Sequence, residues 1–311
     1  MINNRENMSV SERLISSRQR QNRQLDEVRG RMIVTACALI MIAASVAITI
    51  FLGVKGLQSF LVNGVSPIEF LTSLNWNPTD SDPKYGVLPF IFGSFAVTIL
   101  SALIAAPLGI AGAIFMTEIA PNWGKKVLQP VIELLVGIPS VVYGFIGLTV
   151  LVPFIAQFKS SGTGHSLLAG TIVLSVMILP TITSISADAM VSLPKSLREG
   201  SYALGATRWQ TIRKVLVPAA FPTLMTAVVL GMARAFGEAL AVQMVIGNTR
   251  VLPESLFDTA GTLTTIITLN MGHTTYGSVE NNTLWSMGLV LLVMSFLFIL
   301  LIRYLSSRRK V

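Results

Sequence analysis

Arg234 and Glu238 stand four residues apart inside the apolar stretch 218–247. On an uninterrupted helix that spacing places both side chains on one face. Arg234 follows Pro218 by about 16 residues, roughly 24 Å of helix, which puts a permanent cation well inside a bilayer. An arginine at the centre of a span costs about 2.5–3.5 kcal/mol on insertion scales. The plain reading is an ion pair that holds helices together. The chemical reading is an anion path: the planar donors of the guanidinium match the oxygens of an oxyanion. Glu238 then restrains the guanidinium, so that the anion is not gripped too tightly to leave. Glu133, in the stretch 127–158 and nearer a membrane surface, is a second possible partner.

Other chemistry is missing. The only Gly-Lys pair, Gly124-Lys125, is followed by Lys126, and no glycine stands five residues earlier, so there is no phosphate-binding loop. His165 and His273 are isolated, and neither HExxH nor GxSxG occurs. No catalytic residue and no metal site are expected. Cys37 is the only cysteine, which rules out an intrachain disulfide. Asn281-Asn282-Thr283 matches a glycosylation sequon and is read as chance.

The elements that must carry Arg234 follow from composition. Hydrophobic residues make up 52% of the chain and charged residues 12%, against roughly 25% charged in a soluble domain. Such a chain cannot cover itself with a charged surface, and it is too apolar to be disordered. Six stretches, about 32–54, 87–116, 127–158, 167–190, 218–247 and 284–302, are long and apolar enough to cross a bilayer. Pro107, Pro139, Pro180 and Pro222 imply kinks within them. The stretch 252–271, with five threonines and two acids, reads as an outer loop whose short helix lies on or dips into the bundle.

The basic residues orient the spans. Segments 1–31, 117–126, 191–215 and 303–311 hold 18 Lys or Arg, whereas the segments on the other side hold four. By the positive-inside rule, both termini face the cytoplasm. The arginine-rich tail 1–31 also carries four acids and no aromatic residue, so it reads as a membrane-orienting segment and not as a nucleic-acid arm. No small-residue cleavage site follows the first span, which is expected to stay in the protein.

Between the fourth and fifth spans, residues 194–218 suit two short amphipathic helices. Pro194 starts the first and Gly205 ends it in a sharp turn. The second begins near Thr207 and carries Trp209, Ile212 and Val215 toward apolar surroundings. Within this loop, Glu199-Gly200-Ser201, Gly205 and Val215-Leu216-Val217-Pro218 resemble, at full spacing, the EAA loop of ABC-importer permeases. Gly200 and Ser201 stand for the two alanines of that pattern.

The resemblance implies an all-α membrane protein, six transmembrane helices in a type I ABC-importer permease bundle. It makes Glu199, Gly200, Ser201 and Gly205 the coupling residues of a helix that sits in a groove of a separate ATPase. Three further stretches, 113–121, 137–144 and 233–238, are similar to permeases of the bacterial high-affinity phosphate importer, and 237–248 is more similar to its PstC-type subunit than to its PstA-type partner. The likeness covers about residues 30–305. It implies a channel-forming subunit in the bacterial plasma membrane that moves phosphate past Arg234 and Glu238. Its implied partners are a PstA-type second permease, a dimer of ATPase subunits and an extracytoplasmic phosphate-binding protein. No cofactor is implied in this chain, since ATP and Mg belong to the ATPase. Two rivals remain open: a permease for sulfate or molybdate, and a proton-coupled secondary transporter, which would call for inverted repeats and a carboxylate relay.

The charge asymmetry is testable. In a Cys37→Ala background, single cysteines replacing Ser17 or Ser307 are expected to resist membrane-impermeant thiol reagents in intact cells, and one replacing Ser81 to react. Labelling at Ser17 from outside overturns the topology.

Overall fold

The computed structural model describes the backbone of residues 10–158 and 162–307 and the side chains of residues 27–158 and 162–300. The basic tails expected at 1–31 and 306–311 fall largely outside these limits. The chain divides into two units, Met1–Val54 and Lys55–Val311. The first consists of most of α1 (Val10–Leu61). Its apolar side chains, Ile33, Leu39, Ile40 and Met41 among them, are exposed, as suits a helix whose solvent is lipid.

The second unit starts with the last turns of α1 and continues through α2 (Pro67–Thr72), β1 (Trp76–Asn77), β2 (Lys84–Tyr85) and α3 (Leu88–Ile114). A π turn, Phe115–Ile119, prolongs α3. There follow α4 (Asn122–Gly137), α5 (Ser140–Ile146), a second π turn (Gly147–Leu151), α6 (Val152–Ala156) and α7 (Leu167–Val191). The remainder is α8 (Lys195–Ala203), α9 (Arg208–Thr211), a third π turn (Ile212–Leu216), α10 (Val217–Phe236), α11 (Leu240–Val245), α12 (Leu263–Asn270) and α13 (Val279–Ser307). The fold is all-α apart from the two-residue ribbon β1–β2, in which Trp76 pairs with Tyr85 and Asn77 with Lys84.

Among the described residues five single helices are long and apolar enough to cross a membrane, and a bent pair makes a sixth if it is one span. The stretch expected as one span at 127–158 is the pair α4 and α5–α6, bent by 93°. Pro139 causes the break. It has no N–H to give the ladder and forces Ile138 into extended backbone, φ −66° and ψ 129°. The span expected at 218–247 also divides: α10 stops at Phe236 and the chain restarts as α11.

α7 is the centre of the bundle. Sixteen of its 25 residues are buried, so it is apolar on every side, and α3 and α10 pack on it. Ile182 fixes this contact. It is fully buried, and it fills the space left by Gly109 on α3 and Gly231 on α10. A Cβ at Gly231 would lie 2.7 Å from Ile182 Cγ1, and one at Gly109 would lie 2.9 Å from Cγ2. Close helix approach through small residues replaces the hydrophobic driving force that lipid does not supply. Buried hydroxyls add to it: Ser101 on α3 donates to Thr171 O at 3.0 Å, and Ser175 on α7 donates back to Ser101 O at 3.3 Å.

At the opposite end from α8 and α9, a second core gathers Phe70, Trp76, Val87, Phe90, Leu263 and Ile266. Thr262 caps α12 through its side chain, and Leu263 to Ile266 are buried. The threonines of this stretch therefore turn inward as hydrogen-bonding groups. Lys55 and Ser59 belong to the same end, where Ser286 on α13 donates to Gly56 O at 2.6 Å.

The Ile182 contact predicts a measurable coupling. Gly231→Ala is expected to destabilise by about 1–3 kcal/mol through overpacking. The double variant with Ile182→Ala should be more stable than the two single losses predict, by at least about 0.5 kcal/mol. Thermal unfolding in detergent measures this, and strict additivity refutes the contact.

Candidate functional site: a coupling loop and a mid-bundle arginine

The loop 194–218 adopts the two helices its sequence implies. Pro194 precedes α8, and Gly205 leaves it with φ +77°, a conformation that a residue with a Cβ adopts only at a cost. Thr207 then caps α9 in a reciprocal box with Gln210. Ser201 Oγ meets Thr211 Oγ1 at 2.9 Å and ties the two helices together. Glu199 and Gly200 are exposed, and nothing lies within 4 Å of a Cβ built at Gly200 or Gly205. Ile212 is buried as expected, but Trp209 is 61% exposed instead of packed. Tyr202 at 47% and Leu204 at 90% are exposed as well.

The inner side of this loop is held by charge. Arg198 and Glu118 form the one ion pair among the described residues, with Nη2 2.6 Å from Oε1. The same guanidinium donates to Met190 O at 2.9 Å and to Leu193 O at 3.2 Å, at the end of α7. Arg208 donates to the carbonyl oxygen of Glu118. The bond to Glu118, ahead of any other influence, raises the Arg198 guanidinium above its already high ordinary pKa.

Arg234 lies two residues before the end of α10. Side chains on a helix lean toward its N-terminus, and the half-buried guanidinium donates through Nη1 to Thr181 Oγ1 on α7 at 2.9 Å. Thr181 stands near the middle of α7, so the charge sits at mid-bundle depth.

The ion pair expected with Glu238 is not formed. The i, i+4 geometry requires continuous helix, and the helix ends at Phe236. Glu238 instead accepts from Ala241 N at 3.1 Å through Oε1, capping the first turn of α11. Its carbonyl oxygen accepts from Thr264 Oγ1 at 2.9 Å. Glu133 is also apart from Arg234. It accepts from Gln129 Nε2 at 3.0 Å and lines a cavity of about 340 Å³ with Thr117, Lys125 and Asp188 at the end where α8 lies. Tyr143 stands on α5, beyond the break at Pro139. Its hydroxyl donates to Leu135 O at 2.8 Å and spans the α4–α5 break.

This arrangement, helices of membrane length with a separate helical loop at one end, matches a known family over most of the bundle. Residues 109–311 match the binding-protein-dependent transport system inner membrane component. The chain belongs to that family of transport permeases. It is 99% identical over all 311 residues, the full length of both chains, to a probable ABC transporter permease protein, YqgH, of Bacillus subtilis strain 168. It is 36% identical over 292 residues, 88% of this chain and 87% of the other, to the phosphate transport system permease protein PstC of Mesorhizobium japonicum. Among solved structures, a chain of a bacterial alginate ABC transporter superposes with TM-score 0.63 at 16% identity, covering 91% of this chain and 96% of that one. At that identity the superposition bears on fold alone.

The permease is thus the membrane-embedded subunit of an ABC importer, and a separate subunit hydrolyses ATP. The importer works with an ATPase and a substrate-binding protein. Sequence reasoning assigned no role to four residues that shape the sites of the permease: Glu118, Arg198, Thr181 and Tyr143. Glu118 and Tyr143 lie inside the stretches that carried the family resemblance. Arg198 is the residue before Glu199, and Thr181 is a hydroxyl within a span. None of these signals names a partner, because the partners are distant in sequence.

Glu238 as a cap makes a prediction that Glu238 as an ion-pair partner does not. Glu238→Gln keeps the acceptor and should change the stability of the permease by less than about 0.5 kcal/mol. Glu238→Ala should cost about 1 kcal/mol, as lost helix caps do. Thermal unfolding of the purified permease decides, and equal losses in both variants contradict the cap.

Proposed function

We propose that this permease forms the PstC-type half of the conducting path of an ATP-driven importer of inorganic phosphate. The observation that carries this reading is the state of Arg234. A guanidinium has five N–H donors. At mid-bundle depth, this one has a single protein partner, the neutral hydroxyl of Thr181, and no carboxylate pairs with it among the described residues. A cation left with spare, planar donors is suited to an oxyanion in transit. One weak tether holds the side chain without competing for the anion. Glu238, set just beyond the end of the helix, places a negative charge near the path and disfavours an anion that lingers. The likeness to PstC relatives supports phosphate as the anion.

In this reading the end bearing Lys125, Arg198 and Arg208 faces the cytoplasm, as do both termini. A PstA-type permease supplies the other half of the path. A phosphate-binding protein delivers the anion from outside, and two ATPase subunits holding ATP and Mg grip the coupling loops. Glu199, Gly200, Ser201 and Gly205 form the gripped surface. Exposed Tyr202, Leu204 and Trp209 add apolar area suited to a groove.

Labelled phosphate, sulfate and molybdate uptake by cells lacking other importers tests the assignment, normalised to permease in the membrane. Phosphate should be imported preferentially, and Arg234→Gln should lower its uptake at least tenfold. Arg234→Lys should retain only part of the activity, because a point charge lacks the guanidinium fork. Thr181→Val removes the tether but leaves the charge, and should keep at least half of the uptake. If Thr181→Val is as damaging as Arg234→Gln, Arg234 is a structural tie between α7 and α10. Preferential import of sulfate or molybdate replaces phosphate as the cargo.

A further inference from the structure

α3 finishes in the π turn Phe115–Ile119, and Ala120 N closes that turn on Phe115 O. The last carbonyls of a helix have no amide donors of their own, and they carry the negative end of its dipole. Here side-chain cations take them. Lys125 Nζ donates to Thr117 O at 2.6 Å, and Arg208 takes Glu118 O. The Glu118 carboxylate, only 9% exposed, takes Arg198 through both Nε and Nη2. The remaining donors of Arg198 hold Met190 O and Leu193 O.

The consequence is mechanical. α8 and α9, which touch one another through Ser201 and Thr211, are both fastened to a single residue at the end of α3. α8 is fastened by the same guanidinium to the end of α7. Successive residues of α8 therefore face opposite ways: Glu199 is exposed, and Arg198 points into the bundle. α7 in turn carries Thr181, the partner of Arg234.

We propose that Glu118 is a positioning residue for transport, the anchor through which movement of the coupling helices is delivered to α3 and α7. This rests on the coupling reading of Glu199 to Gly205. The loop has a second hold besides Glu118. Leu197, Ile212 and Leu216 pack with Met190, Leu193 and Leu224 in a separate apolar cluster. Loss of the anchor should therefore loosen transmission and leave assembly intact. A charge-assisted fork fixes direction as well as distance, so movement of the loop reaches the helix ends.

The test uses the full complex of both permeases, the ATPase and the binding protein in proteoliposomes. Whichever of labelled phosphate, sulfate and molybdate the unaltered complex imports is used throughout. The readout is anion imported per ATP hydrolysed, a ratio that a change in protein yield does not move. Glu118→Gln keeps shape and acceptor but removes the charge, and should lower the ratio at least fivefold with normal assembly and ATP hydrolysis at or above the basal rate. Arg198→Lys cannot reach Glu118, Met190 O and Leu193 O at once, and should lower it similarly. Glu118→Asp should recover part of it. Gly205→Val, which strains the turn at φ +77°, should instead weaken ATPase binding or its stimulation. An unimpaired Gly205→Val overturns the coupling reading itself. An impaired Gly205→Val with a normal ratio in Glu118→Gln and Arg198→Lys overturns the anchor alone. Failure of both of these variants to assemble also overturns it, by making the pair a folding element.

Discussion

Inside a bilayer no water is available to a polar group, so each must find its partner within the protein. The rest of this structure follows from that constraint. Buried and lipid-facing hydroxyls alike turn back onto carbonyls of their own helices: Thr183 on Leu179 O, Thr226 on Pro222 O, Ser295 on Leu291 O. Where two helices are close enough, the same hydroxyls reach across, as Ser101 and Ser175 do. Closeness in turn needs small residues at the contact, which is why Gly109 and Gly231 flank Ile182. The breaks obey the same rule. The carbonyl of Leu135, near the end of α4, is met by the Tyr143 hydroxyl from beyond the bend, and the start of α11 is met by the Glu238 carboxylate.

Against this background Arg234 stands apart, and the proposed anion path rests on it. Its five-donor guanidinium has one partner among the described residues, the neutral hydroxyl of Thr181. Burying a charge without a counter-charge is costly. The tether to Thr181 also joins α10 to α7, so the position of the guanidinium follows the packing of these two helices. A shift of α7 relative to α10 changes where the donors point.

The apolar stretches were plain in the sequence, because about 20 apolar residues in a row admit few readings. The two helices of the coupling loop were legible from Pro194, Gly205 and Thr207, whose backbone preferences are local. Local rules failed where the chain departs from regular helix. The i, i+4 pairing of Arg234 with Glu238 assumed a continuous helix through Gly237, but α10 ends one residue earlier. The kink implied by Pro139 proved to be a bend of 93°, since the preceding residue is extended and the ladder stops altogether. Gly144, at the end of the stretch 137–144 that carried the resemblance, is a close contact: a Cβ there would lie 2.8 Å from Ala241 Cα. Least legible was Glu118, whose partners lie 80 and 90 residues away, where no periodicity connects them.

The bases gathered at one end of the bundle also have a physical role there. α3 and α7 both run toward the basic end and finish there, so both present unpaired carbonyls and the negative ends of their dipoles. Lys125, Arg198 and Arg208 occupy those carbonyls. α10 runs the other way, with its positive end at the basic side, and a cation near that end gains nothing from the dipole. The bases closest to its start, Arg213 and Lys214, are exposed and left to solvent or headgroups. A topological signal alone asks only that cations lie on one side. Their distribution within that side follows helix direction, and it puts the strongest fastening, the fork of Arg198, between α8 and the two helices that end beside it.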